Sequence, residues 1–222
     1  MTRAALILRP EPGNSATAVR AAAAGLAVIR LPLFEVVALP WAPPAETFDA
    51  LLLTSANAVR HAGAGLAALS HLPVVAVGAG TAAAARAAGL TVAAVGDGDA
   101  TAALALAHRH GWRNLVRLTG RERTELAGVT DVEVYASRAL SPSAESLRAV
   151  AGTVALLHSA RAAALFRGLL ERERVPVETI GIAAISEGVA AAAGTGWHTL
   201  VVAEQPSDAA LIAAACTLAI DP

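Results

Sequence analysis

The sequence predicts an α/β protein built from parallel strands and crossover helices. Short apolar runs alternate with longer, Ala-rich periodic segments, which is typical of strands buried on both faces and joined by helices. The chain has 222 residues, of which 55% are hydrophobic, enough for one large domain or two of about 100 residues each. Alanine makes up about a quarter of the chain, which predicts a core of closely approaching helices and strands.

The predicted elements follow in chain order. Apolar runs predict strands at residues 5–8, 27–31, 50–53, 74–77, 91–95, 114–118, 154–157, 179–182 and 199–202. Periodic segments between them predict helices at residues 15–24, 57–68, 81–88, 100–110, 144–150, 161–173, 187–193 and 207–218. Right-handed helical crossovers make such strands parallel.

Two segments interrupt this alternation. Residues 31–44 carry prolines near both ends of an extended piece, and residues 131–143 alternate apolar and polar residues before Pro142. Both patterns favour extended connectors over buried parallel strands.

The chain also repeats itself at an offset of about 105 residues, a spacing suited to a duplicated domain. The segment LLTSANA at 52–58 resembles LLHSARA at 156–162, and each one ends a predicted strand. If the two connectors pair, one domain contains residues 1–32 and 142–222, a second contains 44–130, and residues 33–43 and 131–141 join them in two antiparallel strands. A cleft between two linked domains is a common place to bind a small molecule.

Charge and composition exclude several classes of protein. The net charge of −1 argues against a nucleic-acid partner, which requires concentrated positive charge. All 17 basic residues are arginine, and the absence of lysine excludes Schiff-base chemistry, pyridoxal-phosphate attachment and a phosphate-loop lysine. The single Cys216 lies in an Ala-rich run, where it is interpreted as a core residue that needs no oxidising compartment.

Targeting, metal and nucleophile motifs are also missing. No charged leader precedes the first predicted strand, and no apolar stretch reaches the roughly 20 residues that a membrane crossing needs, so we expect a cytoplasmic protein. The histidines are scattered and predict no metal site, and no serine lies in a nucleophile elbow. Without a heptad seam or a long apolar edge we expect a monomer.

Hydroxyl side chains lie where several predicted strands give way to helices. The residues are Thr54, Ser55, Thr81, Ser159 and Ser186. Each is interpreted first as a helix N-cap, worth about 1 kcal/mol. Because parallel strands end at one edge of a sheet, the same positions also present free helix amides to an anion such as a polycarboxylate.

A glycine-rich turn and a set of arginines are further candidates. The turn VGAGTAA at 77–83 fits a dinucleotide fingerprint through Gly78 and Gly80, but glycine turns between strand and helix are common for backbone reasons alone. Two or three arginines of a set near predicted strand ends, connectors and helix starts are expected to meet an anionic ligand. The set contains Arg9, Arg117, Arg121, Arg123, Arg138 and Arg161.

Tyr135 is the only tyrosine and lies in the second connector. It is interpreted either as a half-buried strand aromatic whose hydroxyl finds one partner or as a phenol that projects into a cleft and donates a proton. The pattern alone leaves both readings open.

Taken in order, six segments resemble the uroporphyrinogen-III synthase family over nearly the whole chain. They are LILRP at 6–10, PLFE at 32–35, FDALLLTSANAV at 48–59, VGAGTA at 77–82, VEVY at 132–135 and AIS at 184–186. The block at 48–59 followed by the turn at 77–82 is the most telling part. The chain departs from the family's usual Thr-Arg-Pro after the first strand, where it has Leu8, Arg9 and Pro10.

The resemblance implies two α/β domains joined by a two-stranded antiparallel connector, and a cofactor-free cytoplasmic lyase. It implies hydroxymethylbilane as substrate, which loses its terminal hydroxyl as water, inverts its last pyrrole ring through a spiro intermediate and closes to uroporphyrinogen III. Transient hand-over from hydroxymethylbilane synthase is a further implied partnership.

Site residues follow from the same resemblance. Tyr135 matches the tyrosine that assists departure of the hydroxyl. The residues expected to bind substrate are Arg9, Thr54, Ser55, Gly78, Thr81, Arg117, Ser159 and Ser186. Two other functions stay open at this point: an NAD(P)-dependent oxidoreductase using the Gly78 turn, and a two-domain small-molecule binding protein.

Overall fold

A computed structural model describes residues 2–220, which divide into two units. One unit contains the chain up to Glu35 and again from Ala139 onward, and the other contains Val36–Arg138. Each unit is built around one sheet.

Strands and helices alternate along most of the chain. The strands are β1 (Ala5–Ile7), β2 (Val28–Arg30), β3 (Phe34–Ala38), β4 (Ala50–Leu53), β5 (Val74–Ala76), β6 (Val92–Val95), β7 (Leu115–Gly120), β8 (Val129–Ala139), β9 (Val154–Leu157), β10 (Gly181–Ala184) and β11 (Thr199–Val202). The α-helices are α1 (Gly13–Ala23), α2 (Ala56–His61), α3 (Ala79–Ala87), α4 (Ala100–Arg109), α5 (Ala144–Arg148), α6 (Ala160–Arg172), α7 (Glu187–Ala193) and α8 (Asp208–Ala219). Two 3₁₀ helices cover Gly63–Leu69 and Val177–Thr179.

Strand order is similar in the two sheets. The five-stranded sheet has the order β11-β10-β9-β1-β2, and every neighbouring pair is parallel. The six-stranded sheet has the order β3-β8-β7-β4-β5-β6, and β8, β7, β4, β5 and β6 are parallel. The carboxyl ends of these parallel strands therefore meet at one edge of each sheet.

Both sheets are buried on two faces. Leu6 and Ile7 are neighbours on β1, yet Leu6 packs in a cluster with Phe166 of α6 and Ile7 packs in a cluster with Leu211 of α8. This is the alternation of side chains that a strand requires. Full burial of one leucine side chain stabilises the fold by about 1.5–3 kcal/mol, and the second sheet lies between two clusters in the same way.

The predicted α/β fold with parallel sheets is confirmed. Each predicted strand corresponds to a strand of the structure, with ends that agree within two residues. The helix predicted over residues 57–68 is wrong in its second half, because α2 ends at His61 and a 3₁₀ helix follows. Gly63 has a φ of 61°, a left-handed conformation that an α-helix does not include.

The second connector differs from its prediction. Residues 131–143 were expected to be extended without forming a parallel strand, but β8 pairs in parallel with β7, from Val129 opposite Leu115 to Tyr135 opposite Gly120. On its other side β8 pairs with β3, and Leu39 N–H donates to the Val134 carbonyl at 2.9 Å. The alternation in the sequence reflects a strand whose two faces differ in burial.

Within residues 2–220, no helix combines the length and apolar character needed to span a membrane.

Candidate functional site

A cavity of about 410 Å³ opens at the carboxyl edge of the six-stranded sheet. Its lining comes from the segments that follow β4, β5 and β6, from β7 and β8, and from the loop that joins β7 to β8. The lining residues are Thr54, Ser55, Val77, Gly98, Asp99, Ala100, Arg117, Thr119, Glu122, Arg123, Thr124 and Tyr135. Most of them carry polar side chains, and all belong to the unit Val36–Arg138. A concave, polar site at this edge is the usual place for a ligand in an open α/β sheet.

Arg117 lines this cavity and is paired with a protein carboxylate. Its side chain is 2% exposed, and Nε and Nη2 donate to the two oxygens of Asp131 at 2.6 Å each. Nη2 also donates to the Thr124 carbonyl at 3.2 Å. The two residues face each other in the β7–β8 register, so Arg117 joins two strands, and its predicted contact with substrate stays a prediction.

A second arginine extends the pair into a network. Arg123 Nε donates to Asp131 at 2.8 Å, and Arg123 Nη1 donates to Glu133 at 2.7 Å. Burial raises the pKa of Asp131, but hydrogen bonds from Arg117 and Arg123 outweigh burial and hold that pKa below its usual value. The hydrogen bond from Arg123 likewise lowers the pKa of Glu133. Two guanidinium groups and two carboxylates thus fasten the loop between β7 and β8.

Tyr135 lies beside this network on β8. It is half-buried, packs against the cluster that contains Leu118, and lines the cavity. The ring of His61 lies 6.2 Å from the ring of Tyr135, centroid to centroid. Burial, and then the charge of Arg60, lower the pKa of His61, so its imidazole is neutral at neutral pH.

The helix starts of this unit divide into capped and uncapped positions. Ser55 is the N-cap of α2, and its Oγ accepts from Asn57 N–H at 3.1 Å. Gly78 is the N-cap of α3 with an extended φ of −171°, which other residues also adopt. Thr81 was expected at a helix cap, but it lies inside α3 and is buried. Thr54 and Ser55 line the cavity, whereas Gly78 and Thr81 lie beyond its lining residues.

The remaining predicted residues belong to the other unit. Ser159 is the N-cap of α6, and its Oγ accepts from Ala162 N–H at 3.2 Å. Ser186 is the N-cap of α7 without a side-chain bond to that helix. Arg9 Nη1 donates to Asp208 and to Thr17, each at 3.3 Å.

Asp208 is the centre of a cluster that sequence reasoning missed. Its carboxylate accepts from Thr17 at 2.8 Å and from Arg20 at 2.7 Å, and it lies 2.8 Å from His158 Nε2. Burial lowers the pKa of His158 despite the opposing effect of Asp208. The carboxylate ties α1, the end of β9 and the start of α8 together.

The cavity residue Thr119 and the network carboxylates Asp131 and Glu133 were also missed. A signal for two of them was present, because Asp131 and Glu133 alternate with apolar residues, and alternate residues of a strand share a face. The position of Thr119 at the cavity depends on how β7 pairs with its neighbours. The sequence pattern does not reveal that pairing.

Two units with parallel sheets and a polar cavity at a carboxyl edge define a small-molecule-binding α/β protein. The model of the family described as uroporphyrinogen-III synthase HemD matches residues 15–213. The chain belongs to this family, whose members are cyclising lyases of tetrapyrrole biosynthesis. The oxidoreductase and binding-protein alternatives are accordingly not favoured.

A solved structure shares the fold, and a second one is similar to this chain in sequence. The crystal structure of uroporphyrinogen-III synthetase from Helicobacter pylori 26695 is 16% identical, covers 97% of this chain and 99% of its own, and has a TM-score of 0.68. A mutant uroporphyrinogen III synthase from the extremely thermophilic bacterium Thermus thermophilus is also 16% identical, covers 94% of this chain and 96% of its own, and has a TM-score of 0.48. A comparison with curated proteins gave no match.

Proposed function

We propose that this chain closes hydroxymethylbilane to uroporphyrinogen III and that the cavity of the unit Val36–Arg138 holds the reacting end of the substrate. The observation that carries the site is the position of Tyr135, which shares one cavity with Thr54, Ser55 and Thr119 in a chain of this family. The phenol is the group in this lining best suited to give a proton to a leaving hydroxyl.

The proposed chemistry needs few protein groups. Loss of the terminal hydroxyl is assisted by the pyrrole nitrogen, and the Tyr135 phenol supplies the proton that turns the hydroxyl into water. Ring closure through the spiro intermediate later releases one proton from carbon, which restores the phenol. The main task of the protein is then to hold a flexible chain in the conformation that closes with inversion, and orientation of this kind lowers a barrier by up to about 7–11 kcal/mol.

Anion binding is assigned to helix starts and to a few arginines. Arg123 is the arginine of the cavity whose side chain keeps substantial exposure, at 28%, while Arg117 is enclosed by its partners. In the other unit, Arg9, Ser159 and Ser186 lie just after the carboxyl ends of β1, β9 and β10. We propose that they bind carboxylates of the substrate by charge and by hydrogen bonding.

We also propose that the two units derive from duplication. Their sheets share the order of four parallel strands, β6-β5-β4-β7 in one and β11-β10-β9-β1 in the other. Ser55 and Ser159 follow the matching strands and cap the matching helices. The antiparallel pairing of β3 with β8 supports the proposed connector.

Several properties of the working enzyme are proposals of the same kind. We propose a cofactor-free monomer in the cytoplasm. The free Cys216 fits the reducing environment of the cytoplasm, and the proposed chemistry has no redox step that would need a cofactor. Transient hand-over from hydroxymethylbilane synthase would limit spontaneous closure of the substrate. Light scattering during gel filtration, alone and with the synthase, tests the monomer and the hand-over.

An isomer assay tests the central proposal. Hydroxymethylbilane is generated in place, and the uroporphyrinogen isomers are oxidised and resolved by chromatography with and without this protein. Excess type III isomer is expected, with the same protein after heat denaturation as control. Formation of type I isomer alone, which arises spontaneously, would falsify the assignment.

A further inference from the structure

Gly120 ends β7 directly opposite Tyr135 of β8, at a point where the register of the two strands shifts. A Cβ atom at Gly120 would lie 2.7 Å from both Cε2 and Cζ of Tyr135 and 3.0 Å from its Oη. We propose that Gly120 is a positioning residue for the cyclisation, because it leaves the space that places the Tyr135 phenol at the cavity. This inference rests on the proposed role of Tyr135.

Position 120 requires glycine because a larger side chain has no space there, and not because of its backbone conformation. Gly120 is absent from the glycines of residues 2–220 that have a positive φ, so a side chain there meets no backbone strain of the left-handed kind. The contacts under 3.0 Å involve ring carbons. An aromatic ring has only two side-chain torsions with which to move aside.

Movement of the β8 backbone offers little relief. Val134, the residue before Tyr135, is fully buried, and Ala136, the residue after it, is also buried. β8 is paired on both sides, by β3 and by β7. A methyl group at position 120 is therefore expected to rotate the Tyr135 ring and to change the position of its hydroxyl in the cavity.

Gly65 supplies a matched control. A Cβ there would lie 2.8 Å from Cζ2 of Trp41, so Gly65→Ala creates a similar clash with an aromatic ring in the same unit. Neither Gly65 nor Trp41 lines the cavity. Gly65→Ala therefore reproduces the packing damage at a ring that does not line the cavity.

The first readout does not depend on activity. Because Tyr135 is the only tyrosine, ring-¹³C-labelled tyrosine gives NMR signals that belong to this residue alone. Gly120→Ala is expected to shift these signals, while Gly65→Ala leaves them in place. Unchanged signals in Gly120→Ala would overturn the proposal.

The second readout is kinetic. Gly120→Ala is expected to lower kcat by about 10- to 100-fold, with a smaller change in KM, and Gly65→Ala is expected to leave kcat within a few-fold of the parent. In a Tyr135→Phe background, Gly120→Ala should lower kcat little further, because the proton donor is already gone. An equal loss in both backgrounds would indicate structural damage and would contradict positioning through Tyr135.

Two outcomes separate the possible failures. Full activity of Tyr135→Phe alone would overturn the proposed role of Tyr135, and with it this inference, whatever Gly120→Ala does to the NMR signals. If Gly120→Ala does not fold, the double variant Gly120→Ala/Tyr135→Ala removes the clashing ring. Recovery of the fold would support the contact, and continued unfolding would overturn it.

Discussion

The guanidinium of Arg117 and the carboxylate of Asp131 meet in a fork of two hydrogen bonds, each 2.6 Å long. Arg117 is fully buried in β7, and a buried guanidinium is tolerated in a protein only when a partner compensates its charge. The pair therefore holds β8 beside β7, because the buried charge of Arg117 on one strand requires the carboxylate of Asp131 on the other.

Removal of the carboxylate charge should be costly. Asp131→Asn keeps the size of the side chain but leaves Arg117 buried without a counter-charge, so we expect the free energy of unfolding to fall by about 3–5 kcal/mol. Urea denaturation measures this loss. Glu133→Gln is the control, because Glu133 is more exposed and should matter much less. Equal losses in the two variants would contradict the central place of Asp131.

The stability of the fold should also depend on His158. Its pKa in the folded state lies below the unfolded value because the ring is buried, so the unfolded state binds the extra proton first. Stability is then fully present above a pH of about 6.5 and declines as the pH falls below that value toward the lower folded pKa.

A substitution isolates this contribution. His158→Gln keeps a donor for Asp208 but does not titrate, so the decline in unfolding free energy between about pH 7.5 and about pH 5 should become shallower. Chemical denaturation at several pH values measures the slope. His71→Gln changes an exposed histidine and should leave the slope as in the parent. An unchanged slope in His158→Gln would show that the buried ring does not control stability in this range.

The fold could be predicted further than the site, for a physical reason. Buried strands and amphipathic helices repeat with local periods, so the runs that became β4 and β9 were visible in the sequence with their correct ends. The boundary of α2 was missed because one left-handed glycine overrides a periodic pattern that continues past it.

Contacts between strands were harder to predict. Arg117 was recognised as a charged residue near a strand end, but its partner Asp131 depends on the register of β7 with β8. Asp208 and His158 are 50 residues apart, and their contact depends on where α8 returns to the sheet. Tyr135 and Ser55 were recognisable because each belongs to a local motif, and a local motif can be identified without knowledge of the strand register.

Capping provides a test within one unit. Ser159 accepts a hydrogen bond from Ala162 N–H, whereas Ser186 holds the same position on α7 without such a bond. Ser159→Ala should therefore lower the free energy of unfolding by about 1 kcal/mol, and Ser186→Ala should cost less than about 0.5 kcal/mol. Thermal and urea denaturation compare the two. A larger loss in Ser186→Ala would contradict the assignment of the caps.

Tyr135→Phe removes one hydroxyl from the cavity and leaves the ring that packs over Gly120. One general acid typically contributes about 10²–10⁴-fold. Because the pyrrole nitrogen assists the same step and lowers that share, we expect kcat to fall by about 10- to 100-fold without vanishing. The half-buried ring keeps its packing, so the midpoint of urea denaturation should stay near that of the parent. Single-turnover assays with hydroxymethylbilane separate the chemical step from binding. An unchanged kcat would remove the phenol from the reaction and would assign Tyr135 to packing alone.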